Sequence, residues 1–423
     1  MRLSHCFIIA SFEEKNIMKK QTLLFISLSI LCLTFAQLVT AQTLNIGNIT
    51  AMKTQNEIIY LAGQKGIAAV KSDQNIIWEK QLPNATFRLI TIDNNNIAWS
   101  SYELIGAQSQ VLSVFSSTWD KLTFANNVVG LLDINGKEIW TSTLDDNSKL
   151  SAPAIGNNLI AVNSIDFTNI IDKTNGKLIK SVRSNQKMLF GGSSIMAHNT
   201  PNKPLITSNA IYAACILKFC KFDLQGNPQK DKTSYGMMAP LGVMTTSPFE
   251  FKNLIFVSNA PYGHRGQKDG VARLFAVNPD LDEKWDEFVD KSGQTGVSSI
   301  TFNSKYIFVA TNFDVMAFNE KGKDIWEFDK IGKPTLRGLG YSGNTAFKIS
   351  NSDFFAADEN AVFIASKSKI EKKVFKENVT VIDANTGKFV KKTDIEGVIV
   401  EIGLLNNKVV VVTEDNKITS IDK

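Results

Sequence analysis

Few residues of this chain have the chemistry to do more than pack. Away from the first 41 positions there are two histidines, His198 and His264, far apart in sequence. A zinc site needs three or four ligands at close, repeated spacing, which two isolated histidines do not provide. A serine hydrolase would need one of them as its base, and no Gly-x-Ser-x-Gly elbow accompanies them. Tyr262–Gly270 reads YGHRGQKDG and places His264 and Arg265 among three glycines. A phosphate loop of that kind opens a helix whose N-terminus completes the site. No helical period follows, so the segment reads as a long connection that can meet a partner. Asp353 and Asp358 are scattered acids rather than a calcium-binding set. The expectation is no catalytic residue, no metal ligand, no cofactor-binding residue and no cofactor; the chain does not read as an enzyme.

Three other features could carry binding or redox chemistry. Cys215 and Cys220 enclose CILKFC. If Leu217-Lys218 is a two-residue turn, the two cysteines face each other across a hairpin and can form a structural disulfide in an oxidising compartment. A redox pair and two free thiols packed as small apolar residues are the alternatives. Trp119 lies in the long stretch Gly106–Asn126, either as an anchor for a partner or within a packed loop. Lys367, Lys369, Lys372, Lys373 and Lys376 crowd into Ser366–Asn378, as a solvated tip or as a site for an anionic partner.

The ends bound the compartment. Met18-Lys19-Lys20, then the apolar run TLLFISLSILCLTF (Thr22–Phe35), then Val39 and Ala41 before Gln42 have the three-part form of a secretory signal peptide. Residues 1–41 are therefore expected to be removed, with Met18 a candidate start and 1–17 a mis-assigned extension. The run is short for a membrane span, and no stable span is expected after cleavage. The exported part, 42–423, has a net charge of +3 once the four cations and two carboxylates of 1–41 are taken away. That balance gives no case for nucleic-acid binding. A periplasmic or secreted protein, monomeric, is the expectation.

What must position these residues is a repeat. DINGKEIW (Asp133–Trp140) returns as NEKGKDIW (Asn319–Trp326) and more loosely as DKTNGKLIK and DANTGKFVK. Eight apolar runs end at such a turn, at positions 71, 133, 172, 223, 278, 319, 383 and 422, and seven of them end in Asp or Asn, which bond their own backbone in turns. A marker follows seven or eight positions on: Trp78, Trp140, Lys180, Lys230, Trp285, Trp326 and Lys391. Further strand-like stretches precede each run, and no long helical period intervenes. Four-stranded units repeated with radial closure make a β-propeller. The fold class is thus all-β, one propeller of about eight blades over 42–423; seven blades, with the unit around Cys215–Lys230 misread, is the alternative. The last unit lacks its fourth strand, and Thr43–Asn48 is a spare strand that could complete it. The Asp-x-x-Gly-Lys-x-x-Trp motif then builds rather than catalyses. Trp78, Trp140, Trp285 and Trp326 dock one blade on the next, and blades with lysine there dock less tightly.

SAPAIGNNLIAVNS…TNIIDKTNGKLIK and VTVIDANTGKFVK resemble the repeats of the PQQ-like β-propeller superfamily, which includes the quinoprotein alcohol dehydrogenases. The resemblance covers most of 42–423. It implies either a quinone held over calcium or a cofactor-free binding scaffold. The adjacent cysteines and calcium ligands that the first needs are missing, which favours an exported, non-enzymatic scaffold for protein or cell-envelope partners. A periplasmic PQQ-type oxidoreductase and a glycan- or surface-binding module are the alternatives. In a propeller the connections between second and third strands share one face with the blade-to-blade links. Gly106–Asn126, Asn259–Gly270 and Ser366–Asn378 all fall there, so that face is the expected binding surface.

Overall fold

The computed structural model describes residues 44–112, 117–183, 186–190, 193–197, 202–215, 218–233, 243–244, 246–260, 273–289, 299–311, 314–329, 333–334, 354–371, 374–406 and 408–422. They form an eight-bladed, all-β propeller. Blade 1 holds β1 (Ile49–Gln55), β2 (Ile58–Gly63), β3 (Gly66–Lys71) and β4 (Ile76–Gln81). Blade 2 holds β5 (Phe87–Ile92), β6 (Asn96–Leu112), β7 (Ser117–Asp133) and β8 (Glu138–Thr143). Blade 3 holds β9 (Ala154–Ile155), β10 (Leu159–Asn163), β11 (Phe167–Asp172) and β12 (Leu178–Arg183); a separate hairpin, β13 (Gln186–Phe190) with β14 (Ser193–Ala197), follows it. Blade 4 holds β15 (Leu205–Ile206), β16 (Ile211–Cys215), β17 (Lys218–Phe222) and β18 (Pro228–Thr233). Blade 5 holds β19 (Val243–Met244), β20 (Phe249–Phe251), β21 (Leu254–Ala260), β22 (Arg273–Val277) and β23 (Glu283–Phe288). Blade 6 holds β24 (Ser299–Phe302), β25 (Ile307–Ala310), β26 (Val315–Phe318) and β27 (Asp324–Phe328). Blade 7 holds β28 (Lys333–Pro334), β29 (Phe355–Ala357), β30 (Ala361–Glu371), β31 (Val374–Asp383) and β32 (Phe389–Ile395), and blade 8 holds β33 (Ile399–Leu405), β34 (Lys408–Thr413) and β35 (Ile418–Asp422). The unit around Cys215–Lys230 is a blade in its own right, which settles the count at eight rather than seven.

Burial explains the residue types. The second and third strands of each blade are covered on both faces by neighbouring blades, so they are apolar without alternation: Leu159–Asn163 is buried at every position. The outer strand touches neighbours on one side only, and β12 reads largely exposed. Each buried Ile, Leu, Val or Phe contributes about 1.5–3 kcal/mol.

The repeated turn has one construction. In blade 2, Asp133 Oδ1 accepts from the backbone N–H groups of Asn135 (2.9 Å) and Lys137 (2.8 Å), and Gly136 follows at φ +84°. The ladder then slips by one residue between Leu131 and Leu132, which brings Trp140 opposite Leu131. The same bulge recurs in blades 1 and 3 to 7. A turn ending in a left-handed residue and a bulge re-aims the outer strand, and so sets where the marker residue points.

The marker spans the seam between blades. Trp78 Nε1 donates to Ile134 O (3.2 Å), Trp140 to Lys173 O (2.7 Å), Trp285 to Glu320 O (2.9 Å) and Trp326 to Ala384 O (3.0 Å), in each case on the next blade's turn. The lysine seams keep the donor and lose the ring. Lys180 Nζ bonds Asn227 Oδ1 (2.8 Å), Lys230 Nζ bonds Asp282 Oδ1 (2.6 Å) and Lys391 Nζ bonds Asp422 O. Lysine therefore retains a directed contact at the seams expected to be looser. Trp140→Phe keeps most of the packing but leaves Lys173 O without its donor; urea unfolding should show a loss of about 1 kcal/mol.

Ring closure differs from the strand exchange expected at Thr43–Asn48. Among the described residues the last sheet has three strands, and Leu44–Asn48 joins no ladder. Gly47, at φ +73°, bends the segment out of extended geometry. It lies instead in the seam between blades 1 and 8, with Ile46 fully buried in a core shared by β2, β3, β34 and β35. Asn416, on the last hairpin, accepts from Ile49 N (2.9 Å) and donates to Gly47 O (3.2 Å). Deeper in the seam Glu401, fully buried, accepts from Met52 N (2.7 Å) and pairs with Lys53.

Candidate functional site: the ribbon-bearing face

One face carries the short turns, from first to second strand and from third to fourth. The other carries the links from second to third strand and from blade to blade, and it is there that the long insertions rise. Two of the three expected connections, Gly106–Asn126 and Ser366–Asn378, are ribbons rather than loops; the third, Asn259–Gly270, lies from position 261 onward outside the described residues. In blade 2 the ladder of β6 and β7 continues past Phe87↔Tyr102 and Val128↔Thr143, where β5 and β8 end, out to Leu112↔Ser117. Trp119 is a strand residue in register with Gln110. In blade 7 the β30–β31 ladder runs to Glu371↔Val374, with Lys367 opposite Glu377 and Lys369 opposite Phe375. Lys376 is exposed and paired with Asp394 at 2.8 Å, so part of the positive run is answered within the blade. Lys372 and Lys373 lie outside the described residues, as do His198, His264, Arg265 and Asp353.

A third arm was not anticipated. The β13–β14 hairpin rises from the link between blades 3 and 4, with Met188↔Ile195 and Phe190↔Ser193 in register. Its signal was in the sequence: Gly191-Gly192 between short apolar runs marks a two-residue hairpin. It was passed over because its strands stand outside the four-strand repeat.

The cysteines do not face each other. The register sets Cys215 opposite Lys218 and Cys220 opposite Ala213, two residues from the pairing a cross-strand disulfide needs, and Cys220 is a free thiol. Asp358 bonds its own turn, accepting from Asn360 N (2.8 Å) and Ala361 N (3.0 Å).

At the foot of the blade 2 ribbon a cavity of about 330 Å³ opens between blades 1 and 2, lined by Pro83, Trp99, Ser101, Glu103, Asn126 and Thr143 among others. Beneath it Arg88 is fully buried. It donates to Gly63 O and Pro83 O and lies 5.4 Å from the Trp99 ring centre. Burial pulls its pKa down to about 10. It braces the base of the ribbon with carbonyls and an aromatic face in place of a carboxylate. On the far side of the same strands Asn127 donates to Ser148 O (2.6 Å) and also to Asp146 O, holding the link to blade 3. Within that link Lys149 is buried, which lowers its pKa to about 8, and burial raises that of Asp146. Among the described residues no group of three or more His, Cys, Asp or Glu side chains could hold a metal ion, and no helix is long and apolar enough to cross a membrane.

Residues 282–423 match the family model described as outer membrane protein assembly factor BamB, within the PQQ-like repeats. Over those residues the repeats match the PQQ-like repeat model. Among solved structures the propeller is similar to BamB from Moraxella catarrhalis, at 12% identity over 87% of this chain and 95% of that one, with a TM-score of 0.56. A europium-containing methanol dehydrogenase aligns at 13% identity over 76% and 81%, with a TM-score of 0.50. Sqt1 of Saccharomyces cerevisiae aligns at 9% identity over 89% and 97%, with a TM-score of 0.55. At these identities the likeness is one of fold. No curated protein sequence matches the PQQ-like chain.

Proposed function

We propose that the protein is an exported propeller scaffold, without catalysis of its own, that binds protein partners of the cell envelope through its ribbon-bearing face. The observation that carries this reading is the concentration of three β-ribbons on one face, opposite the short turns from first to second and from third to fourth strand. Ribbons that outrun their blades offer free backbone edges as well as side chains, and extended protein segments pair with such edges. The match of the last third of the chain to the assembly-factor family supports a role in building outer-membrane proteins.

A photo-reactive residue at position 119, on the blade 2 ribbon, should yield discrete protein adducts in intact cells, whereas one at Gln225, on a short turn of the opposite face, should not. Equal labelling from both positions, or none from 119, would overturn the reading. So would a saturable, calcium-dependent rise in melting temperature with pyrroloquinoline quinone, which would mark a quinoprotein.

A further inference from the structure

The outer rim is chemically lopsided. The position just before the docking marker faces outward, and on one half of the ring it is aliphatic. Ile77, Ile139, Ile179 and Val390, with Leu178 and Phe389 beside the last two, are 44–54% exposed. They belong to blades 1, 2, 3 and 7, with blade 8 between 7 and 1. On the other half the same position is Gln229 in blade 4, Lys284 in blade 5 and the half-buried Ile325 in blade 6. Cations lie beside the exposed pairs of blades 3 and 7. The blade 3 pair sits in Gly-Lys-Leu-Ile-Lys with exposed Lys177 and Arg183 on either side, and the blade 7 pair in Gly-Lys-Phe-Val-Lys-Lys. The hairpin of blade 5, Asn278–Phe288, instead carries Asp280, Asp282, Glu283, Asp286 and Glu287 against Lys284. Three of those acids pair with Lys221, Lys230 and Arg273.

Scattered exposed aliphatics need no explanation, but the same strand position repeated over adjacent blades, with cations beside it in blades 3 and 7, does. Aliphatic side chains between lysines match the boundary of an anionic lipid bilayer, where apolar groups enter the headgroup region and cations meet phosphate. We infer that the rim of blades 7, 1, 2 and 3 is a lipid-facing edge that seats the ring on an anionic membrane surface. These residues follow the short turns, so they border the face opposite the ribbons. Seating them turns the ribbons away from the lipid and lifts the acidic hairpin of blade 5 clear of it. This goes beyond the proposed scaffold role and does not depend on which partner the ribbons bind.

The test uses the full chain carrying one photo-reactive residue at Ile179, Val390, Gln229 or Lys284, mixed with vesicles of phosphatidylcholine and phosphatidylglycerol and scored for lipid adducts by mass. Because the four positions are compared within one chain, anchoring by its N-terminal segment affects all alike. Adducts at 179 and 390 should exceed those at 229 and 284 by at least about fivefold, and should fall at high salt or with phosphatidylcholine alone. Replacing Leu178, Ile179, Phe389 and Val390 together by serine should leave the melting temperature in place and reduce adducts from a probe at Ile139 by a similar factor. Equal labelling at the four positions, labelling indifferent to salt and lipid charge, or undiminished labelling in the serine variant would overturn the inference. Each is readable whether or not the ribbon-face adducts are found.

Discussion

Gly387→Ala should lower the stability of the ring by about 2–4 kcal/mol, while Gly106→Ala should leave it almost unchanged. Gly387 holds φ +69°, and a Cβ built on it would stand 2.7 Å from Trp326 Cδ2. The indole has little freedom to yield, because its N–H is bonded to Ala384 O and it is buried between blades 6 and 7. The variant must therefore move the turn or the ring and strain the backbone as well. Gly106 sits at the root of the blade 2 ribbon, where a Cβ would meet nothing nearer than 3.9 Å. Urea unfolding of both variants checks the pair; a Gly387→Ala midpoint equal to that of the parent would mean that the turn and indole do not lock the blades.

The second large effect is expected at the closing seam. Glu401→Ala removes a fully buried carboxylate that accepts from Met52 N and pairs with Lys53. A buried backbone N–H loses its acceptor and a partly buried ammonium loses its counter-charge, a cost of about 3 kcal/mol. Glu401→Gln keeps an acceptor for Met52 and should recover about half of the loss. Thermal melts of the two variants settle it: equal losses would place the effect in the charge alone, and no loss would mean that the seam is held by its apolar core.

The architecture could be read from the chain because its signal is local and repeated. Asp133, Asn319 and Asp383 announce turns through their own side chains, and the glycine in each of these turns meets the tryptophan of the preceding blade. At the lysine seams the ring is absent, but Lys180, Lys230 and Lys391 each supply a donor to the next blade. Register was beyond local reasoning. A two-residue shift separates Cys215 from the position opposite Cys220, and only pairing along the whole of β16 and β17 fixes it. The ribbons were taken for loops because polar residues such as Gln108, Gln110 and Lys121 interrupt the apolar pattern in strands that have no blade to pack against. Arg88 and Glu401 gave no sequence signal at all, since each is made important by residues that only the closed ring brings near.

The seam also orders events in time. Ile49 and Asn416 bond across 367 positions, and Met52 and Glu401 across 349, whereas the indole seams join residues 33 to 58 apart. During synthesis or threading from the N-terminus, each blade can settle on its predecessor as it emerges, but blade 1 keeps an uncovered flank until the final hairpin arrives. A chain truncated before Asn416 would leave Ile46 and Met52 exposed and their backbone groups unmet. The hairpin around Asn416 thus acts as a check on ring closure: blade 1 is covered only when blade 8 has been made.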